Sequence, residues 1–185
     1  YTATAGTGTS AHKGAPFDSH SVTVSSDGLG SLTFHGEGGS SAQAAIDTTA
    51  AGDIWDSGFG VSTANDPKTS KGTDNMLSYT LPSVMDGVSL KASYTPKGSS
   101  AASSMAYAIS YTGVEGLTLD YATGEDDSTA GSEADVTTMK ASYAYGPITV
   151  AYSQNEYDGA GTGSNTDQEV TSYKVSYTVS DAISV

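Results

Sequence analysis

Apolar residues recur at every second position along much of the chain, with Ser, Thr or a charge between them. Leu77-Ser78-Tyr79-Thr80-Leu81, Leu90-Lys91-Ala92-Ser93-Tyr94 and Tyr173-Lys174-Val175-Ser176-Tyr177-Thr178-Val179 all keep this period of two. Successive side chains of a β-strand point to opposite faces, so the pattern predicts strands with one apolar and one polar face. The candidates are Phe17–Ser25, Gly30–Gly36, Asn75–Pro82, Gly87–Thr95, Ser104–Thr112, Gly116–Ala122, Asp135–Tyr145, Pro147–Gln154 and Val170–Val179. A further strand lies near Tyr1–Thr9, and Ala182–Val185 begins another.

The connections alternate in kind. Ser26–Leu29, Ser83–Asp86, Gly113–Glu115, Gly146 and Ser180–Asp181 are tight, whereas Glu37–Asp74, Pro96–Ser103, Thr123–Ala134 and Asn155–Glu169 are long, polar and rich in Gly, Ser and Asp. Short turns at one end and long loops at the other are the habit of an up-and-down barrel in an outer membrane. The fold class predicted is all-β, an antiparallel up-and-down transmembrane β-barrel.

A lysine on the lipid face at mid-membrane would cost about 2–4 kcal/mol. Charges on strands should therefore share the phase of Ser and Thr. Lys91 falls with Ser89 and Ser93, Lys140 with Ser142, Lys174 with Ser176, and Asp120 with Thr118. All four are expected on a lumen-facing wall. His20 dissents, sharing the phase of Val22 and Val24, and would face a subunit interface if the register is counted correctly. Tyr79, Tyr94, Tyr111, Tyr143, Tyr152 and Tyr177 share the apolar phase, as residues of aromatic girdles do, with rings in acyl chains and hydroxyls among headgroups.

Composition narrows the class further. A hydrophobic content of 36% in 185 residues is low for a globular core, but suits a wide barrel whose inner wall faces water. No apolar run approaches the ~18 residues of a spanning helix. There is no cysteine, hence no disulfide framework or thiolate metal site. With a formal charge of -14, no arginine and no basic stripe, the chain offers nothing to a nucleic acid.

Glu37–Asp74 is by far the longest connection. Ser40–Asp47 could form a short helix, and Asp53–Val61 gathers the single tryptophan with Asp53, Asp56 and two glycines. A loop this long inside a compact domain usually has a job. In a pore it can fold inward, with Ile54, Trp55 and Phe59 against the wall and Asp47, Asp53 and Asp56 projecting into the lumen as the constriction. An external flap with solvated charges is the alternative.

Three segments are similar to one known family: Gly28–Gly36 running into the long loop, Asn75–Tyr79 with Val88–Tyr94, and the strand-turn-strand Met139–Val150. They resemble the trimeric general diffusion porins of Gram-negative bacteria, most closely the alphaproteobacterial type. The resemblance implies a 16-stranded barrel in the cell outer membrane, a homotrimer among lipid and lipopolysaccharide, passage of ions and small hydrophilic solutes, and no cofactor. It also implies a third external loop folded into the channel, here residues 37–74. The chain would then be incomplete at both ends, starting near the third strand and stopping near the thirteenth. The family's basic cluster opposite the loop is often built of arginine, which this chain lacks. Rings of charge and a narrow passage set the selectivity of such a pore, so the acidic loop implies weak cation preference, partly offset by Lys91, Lys140 and Lys174.

Catalytic signals are lacking. His12, His20 and His35 show neither HExxH spacing nor a recognisable triad order. Glu125-Asp126-Asp127 with Glu133 and Asp135, and the Gly-rich Asp158–Gly163, could ligate calcium but match no calcium-loop pattern. The rival reading is a secreted or cell-surface β-rich adhesin or surface-layer module, calcium-stabilised. It would lack lipid-facing surface and stay soluble without detergent.

Overall fold

The computed structural model describes residues 19–46, 48–50, 66–72, 74–98, 102–127, 133–159, 167–180 and 183–184. Among them the strands are β1 (His20–Ser26), β2 (Gly30–Glu37), β3 (Met76–Thr80), β4 (Val88–Thr95), β5 (Ser104–Tyr111), β6 (Leu117–Glu125), β7 (Ala134–Tyr145), β8 (Ile148–Gly159), β9 (Gln168–Ser180) and the two-residue β10 (Ile183–Ser184). They form one sheet in the order β1 to β10, every described neighbouring pair antiparallel. β1 and β10 are its edges among the described residues, so this part of the barrel wall is an open sheet.

The short turns are closed by backbone bonds from Leu29 N to Ser26 O, Val88 N to Met85 O and Leu117 N to Val114 O, at 3.2, 3.1 and 3.0 Å. Gly30 shows why glycine is needed where turn meets strand. Its φ is +80°, and a Cβ there would lie 2.2 Å from the Thr80 carbonyl oxygen of β3. Near this corner the Tyr79 hydroxyl donates to the Leu29 carbonyl.

The two faces invert the usual burial rule. Large apolar side chains are exposed, Leu32 at 47% and Val175 at 75%, whereas Thr138 and Asn155 on the opposite face are fully buried. A soluble protein does not leave a continuous apolar face of this extent to water; a membrane barrel gives it to lipid. We call the apolar face outer and the other inner.

The apolar band runs obliquely across the ladders. One row of facing residues on the outer face reads Leu32, Tyr79, Ala92, Tyr107, Thr123, Thr137, Glu156, Glu169 from β2 to β9. It begins apolar and ends charged. Tilted and sheared strands produce this, because a row perpendicular to tilted strands climbs through the membrane and out of it.

That obliquity corrects the expected strand ends. β6 continues past Ala122 to Glu125, β8 past Gln154 to Gly159, and β9 begins at Gln168, ahead of Val170. Alternation of apolar with polar residues stops at the membrane edge, but backbone pairing continues into water through Thr123, Glu125, Glu156 and Asp158. The connections between β6 and β7 and between β8 and β9 are accordingly shorter than expected.

His20 does lie on the outer face. The β1–β2 register shifts between His20 and Ser21, and the imidazole covers Gly36, where a Cβ would lie 2.1 Å from Nε2. Its Nδ1 is 3.9 Å from Glu37 Oε2. It sits at the long-loop end of β1, where the band gives way to polar rim.

Candidate functional site: a loop laid on the inner face

The two described limbs of the loop between β2 and β3, residues 38–46 with 48–50 and residues 66–72, lie against the inner face. Where Ser40–Asp47 could have formed a short helix, the described residues Ala42–Ala45 form a turn. Ala45 N bonds Ser41 O, Ile46 N bonds Gln43 O, and Ser41 Oγ takes the Ala44 N–H at 3.0 Å. One i→i−4 bond does not propagate a helix, and the remaining polar groups turn to the wall. The wall admits the chain because its side chains there are small. Ala42 and Ile46 pack on Ala106, Ala108 and Ala122. At Gly124 a Cβ would meet Ala106 Cβ at 2.6 Å and Ser70 Oγ at 2.7 Å.

Wall hydroxyls receive the loop's amides. Ala42 N donates to Ser93 Oγ of β4 at 2.9 Å, and Ala50 N donates to both Ser153 Oγ of β8 and Ser172 Oγ of β9, at 2.9 and 2.6 Å. On the returning limb Lys68 N donates to Gln168 Oε1 of β9 at 2.9 Å.

At the centre is a closed ring. Ser70 N donates to Gln43 Oε1 (2.6 Å), Gln43 Nε2 to Thr138 Oγ1 (2.8 Å), Thr138 Oγ1 to Asn155 Oδ1 (2.6 Å), and Asn155 Nδ2 to the Lys68 carbonyl (2.9 Å). Gln43, Thr138 and Asn155 are all fully buried. Ser41 Oγ and Ser70 Oγ, 2.6 Å apart, join the two limbs beside it. Among the described residues no buried side-chain nitrogen or oxygen lacks a partner. A satisfied buried network of this kind fixes one geometry, because each broken bond strands a buried polar group.

At the long-loop rim, Lys68 Nζ lies 4.5 Å over the Tyr157 ring, and the Tyr157 hydroxyl donates to Asp126 Oδ2 at 3.0 Å. Beside it Glu125, Asp127, Glu133, Asp135 and Asp158 line an open recess of about 380 Å³. Burial first, then Glu125 and Glu133, push the Asp127 carboxyl above its usual 3.8. Among the described residues no group of three or more His, Asp or Glu is arranged to hold a metal ion.

Asp47, Asp53 and Asp56, the expected constriction, lie outside the described residues, as do Ile54, Trp55 and Phe59. Lys91, Asp120, Lys140 and Lys174 stand in register with inner-face residues, Lys91 between Thr80 and Ala108, Asp120 opposite Lys140, Lys174 opposite Ala151. Tyr79, Tyr94, Tyr111, Tyr143, Tyr152 and Tyr177 stand in register with outer-face residues. Tyr152 packs on Tyr173 with ring centroids 5.3 Å apart. The anchoring residues Ser41, Gln43, Ser70, Thr138, Ser153 and Asn155 were not foreseen. Small polar residues on the Ser/Thr phase of the strands were the one available hint.

No curated protein matches the chain. The Gram-negative porin family matches it over residues 2–185. That family consists of channels rather than enzymes, and its place is the outer membrane, where the exposed apolar face has its solvent. An outer wall for lipid, an inner wall of small polar residues and a family match of this length lead to one conclusion: the chain belongs to the Gram-negative porins, the diffusion channels of the outer membrane.

Proposed function

We propose that the loop between β2 and β3 is the constriction of a passive pore for ions and small hydrophilic solutes, and that Asp47, Asp53 and Asp56 give it weak cation preference. The observation that carries this is the buried ring from Gln43 to Asn155, which binds both limbs of the loop to the inner wall. An external flap would make no such bonds to β7 and β8. Carboxylates held in a narrow low-dielectric passage raise the local cation concentration. Solutes cross by diffusion without energy coupling, and the working unit is a homotrimer set in lipid and lipopolysaccharide.

Planar-bilayer recording under a salt gradient tests the reading. The protein should insert as conducting steps in threes, with a cation-signed reversal potential. Asp53→Lys with Asp56→Lys should abolish or reverse that sign in a barrel that still folds. An unchanged reversal potential would put the aspartates outside the eyelet.

A further inference from the structure

The strands sort their charges by face. Every lysine carried by a described strand, Lys91, Lys140 and Lys174, is on the inner face. The strand carboxylates Glu125, Asp135, Glu156, Asp158 and Glu169 are on the outer face, at the long-loop end. Short of Glu37 at the rim, Asp120 is the one acid on the inner face among the described strands.

The lysines also share a height relative to the loop. Ser93, Thr138 and Ser172 each accept a hydrogen bond from the loop. On each of those three strands, the next inner-face residue toward the short turns is a lysine: Lys91 below Ser93, Lys140 below Thr138 and Lys174 below Ser172. Lys140 has Asp120 directly opposite. Lys91 stands between Thr80 and Ala108, and Lys174 opposite Ala151, so among the described residues neither has a carboxylate as its register partner. The turn acid of the same hairpin, Asp86, lies beyond Val88, where β4 begins, and Val88 to Lys91 alone spans about 10 Å of strand. That exceeds the screening length of about 8 Å at physiological salt.

We propose that Lys91 and Lys174, with Lys140, form a cationic shelf directly beneath the loop on its short-turn side, and that this shelf receives small anionic solutes, oxyanions such as phosphate. The inference rests on the reading that the inner face lines an aqueous lumen. Ammonium groups act on phosphate as mobile point charges, so the shelf concentrates anions rather than enclosing them. An acidic protein thereby presents a basic step to a solute on one side of its narrowest point. Anions arriving from the short-turn side meet the shelf first. Those from the other side meet the acidic rim first.

Inorganic phosphate is the probe, added to one side and then the other of channels carrying a chloride current. Wild-type protein should show partial block, stronger from one side. Lys91→Gln with Lys174→Gln should weaken that block roughly tenfold, the loss expected for two exposed charge contacts. Its heat-modifiable migration should match wild type, while its chloride current should fall and its reversal potential shift toward cations, because the shelf draws chloride as well. Equal block from both sides, or equal block of wild type and variant, would overturn the shelf while leaving the pore intact. Absence of conductance in the wild type would overturn the pore reading as well.

Discussion

Gln43 donates to Thr138 across 95 residues of sequence, at 2.8 Å and wholly out of solvent. The same amide accepts from Ser70 N. One side chain therefore holds the outgoing limb of the loop, its returning limb and the wall.

Gln43→Leu removes both bonds while keeping the volume. It leaves the Ser70 amide and the Thr138–Asn155 pair incompletely satisfied, at about 1–3 kcal/mol for each stranded group. The strands do not depend on this residue. Heat-modifiable migration should be unchanged, while single-channel noise and protease nicking of the loop should increase.

The face assignment is tested by adjacent residues. Ile109 is on the outer face between Tyr107 and Tyr111, and Ser110 is on the inner face opposite Asp120. Ile109→Lys should cost about 2–4 kcal/mol in a urea titration of folding into lipid. Ser110→Lys should change stability by under about 1 kcal/mol, since the ammonium stays on the water-facing wall with the half-buried Asp120 opposite it.

Two neighbouring glycines make a matched pair. Gly30→Ala forces a Cβ onto the Thr80 carbonyl at a φ of +80°, and should cost more than about 1 kcal/mol. Gly28 has nothing within 4 Å of its Cβ position. Gly28→Ala should stay within about 0.5 kcal/mol of wild type in the same titration.

The acidic rim should respond to pH. Burial first, then Glu125, Glu133, Asp126 and Asp135, raise the Asp127 carboxyl above 3.8. A carboxyl raised by folding adds stability that is complete below about 3.8 and lost as pH rises through its folded value. At neutral pH it therefore works against the rim. Asp127→Asn should slow hydrogen exchange of the residue-127 amide, which bonds Ser104 Oγ, at neutral pH. Below that window the two proteins should exchange alike.

The strands were legible because alternation is a direct consequence of two solvents, lipid and water, on two faces. Where one face ceased to meet lipid, the signal ceased too, which is why β8 was expected to end at Gln154 and reaches Gly159. The loop's anchors were not legible. Gln43 stands in Ala42-Gln43-Ala44-Ala45, and nothing local points to a partner on β7. A long-range hydrogen bond leaves no periodic trace in sequence, and the same holds for the small residues that seat the loop.

The oblique band has a further consequence for assembly. A strand that slips by one residue turns its charges to lipid and is rejected at once. A slip of two preserves the faces, so ladder parity alone would tolerate it. In this wall it would also slide a strand about 7 Å along its neighbour, and for β8 sliding toward the short turns would draw Glu156 toward the level of Gln154. The bilayer thus proofreads pairings that the backbone would accept, and the errors hardest to see within the sheet are caught by the solvent outside it.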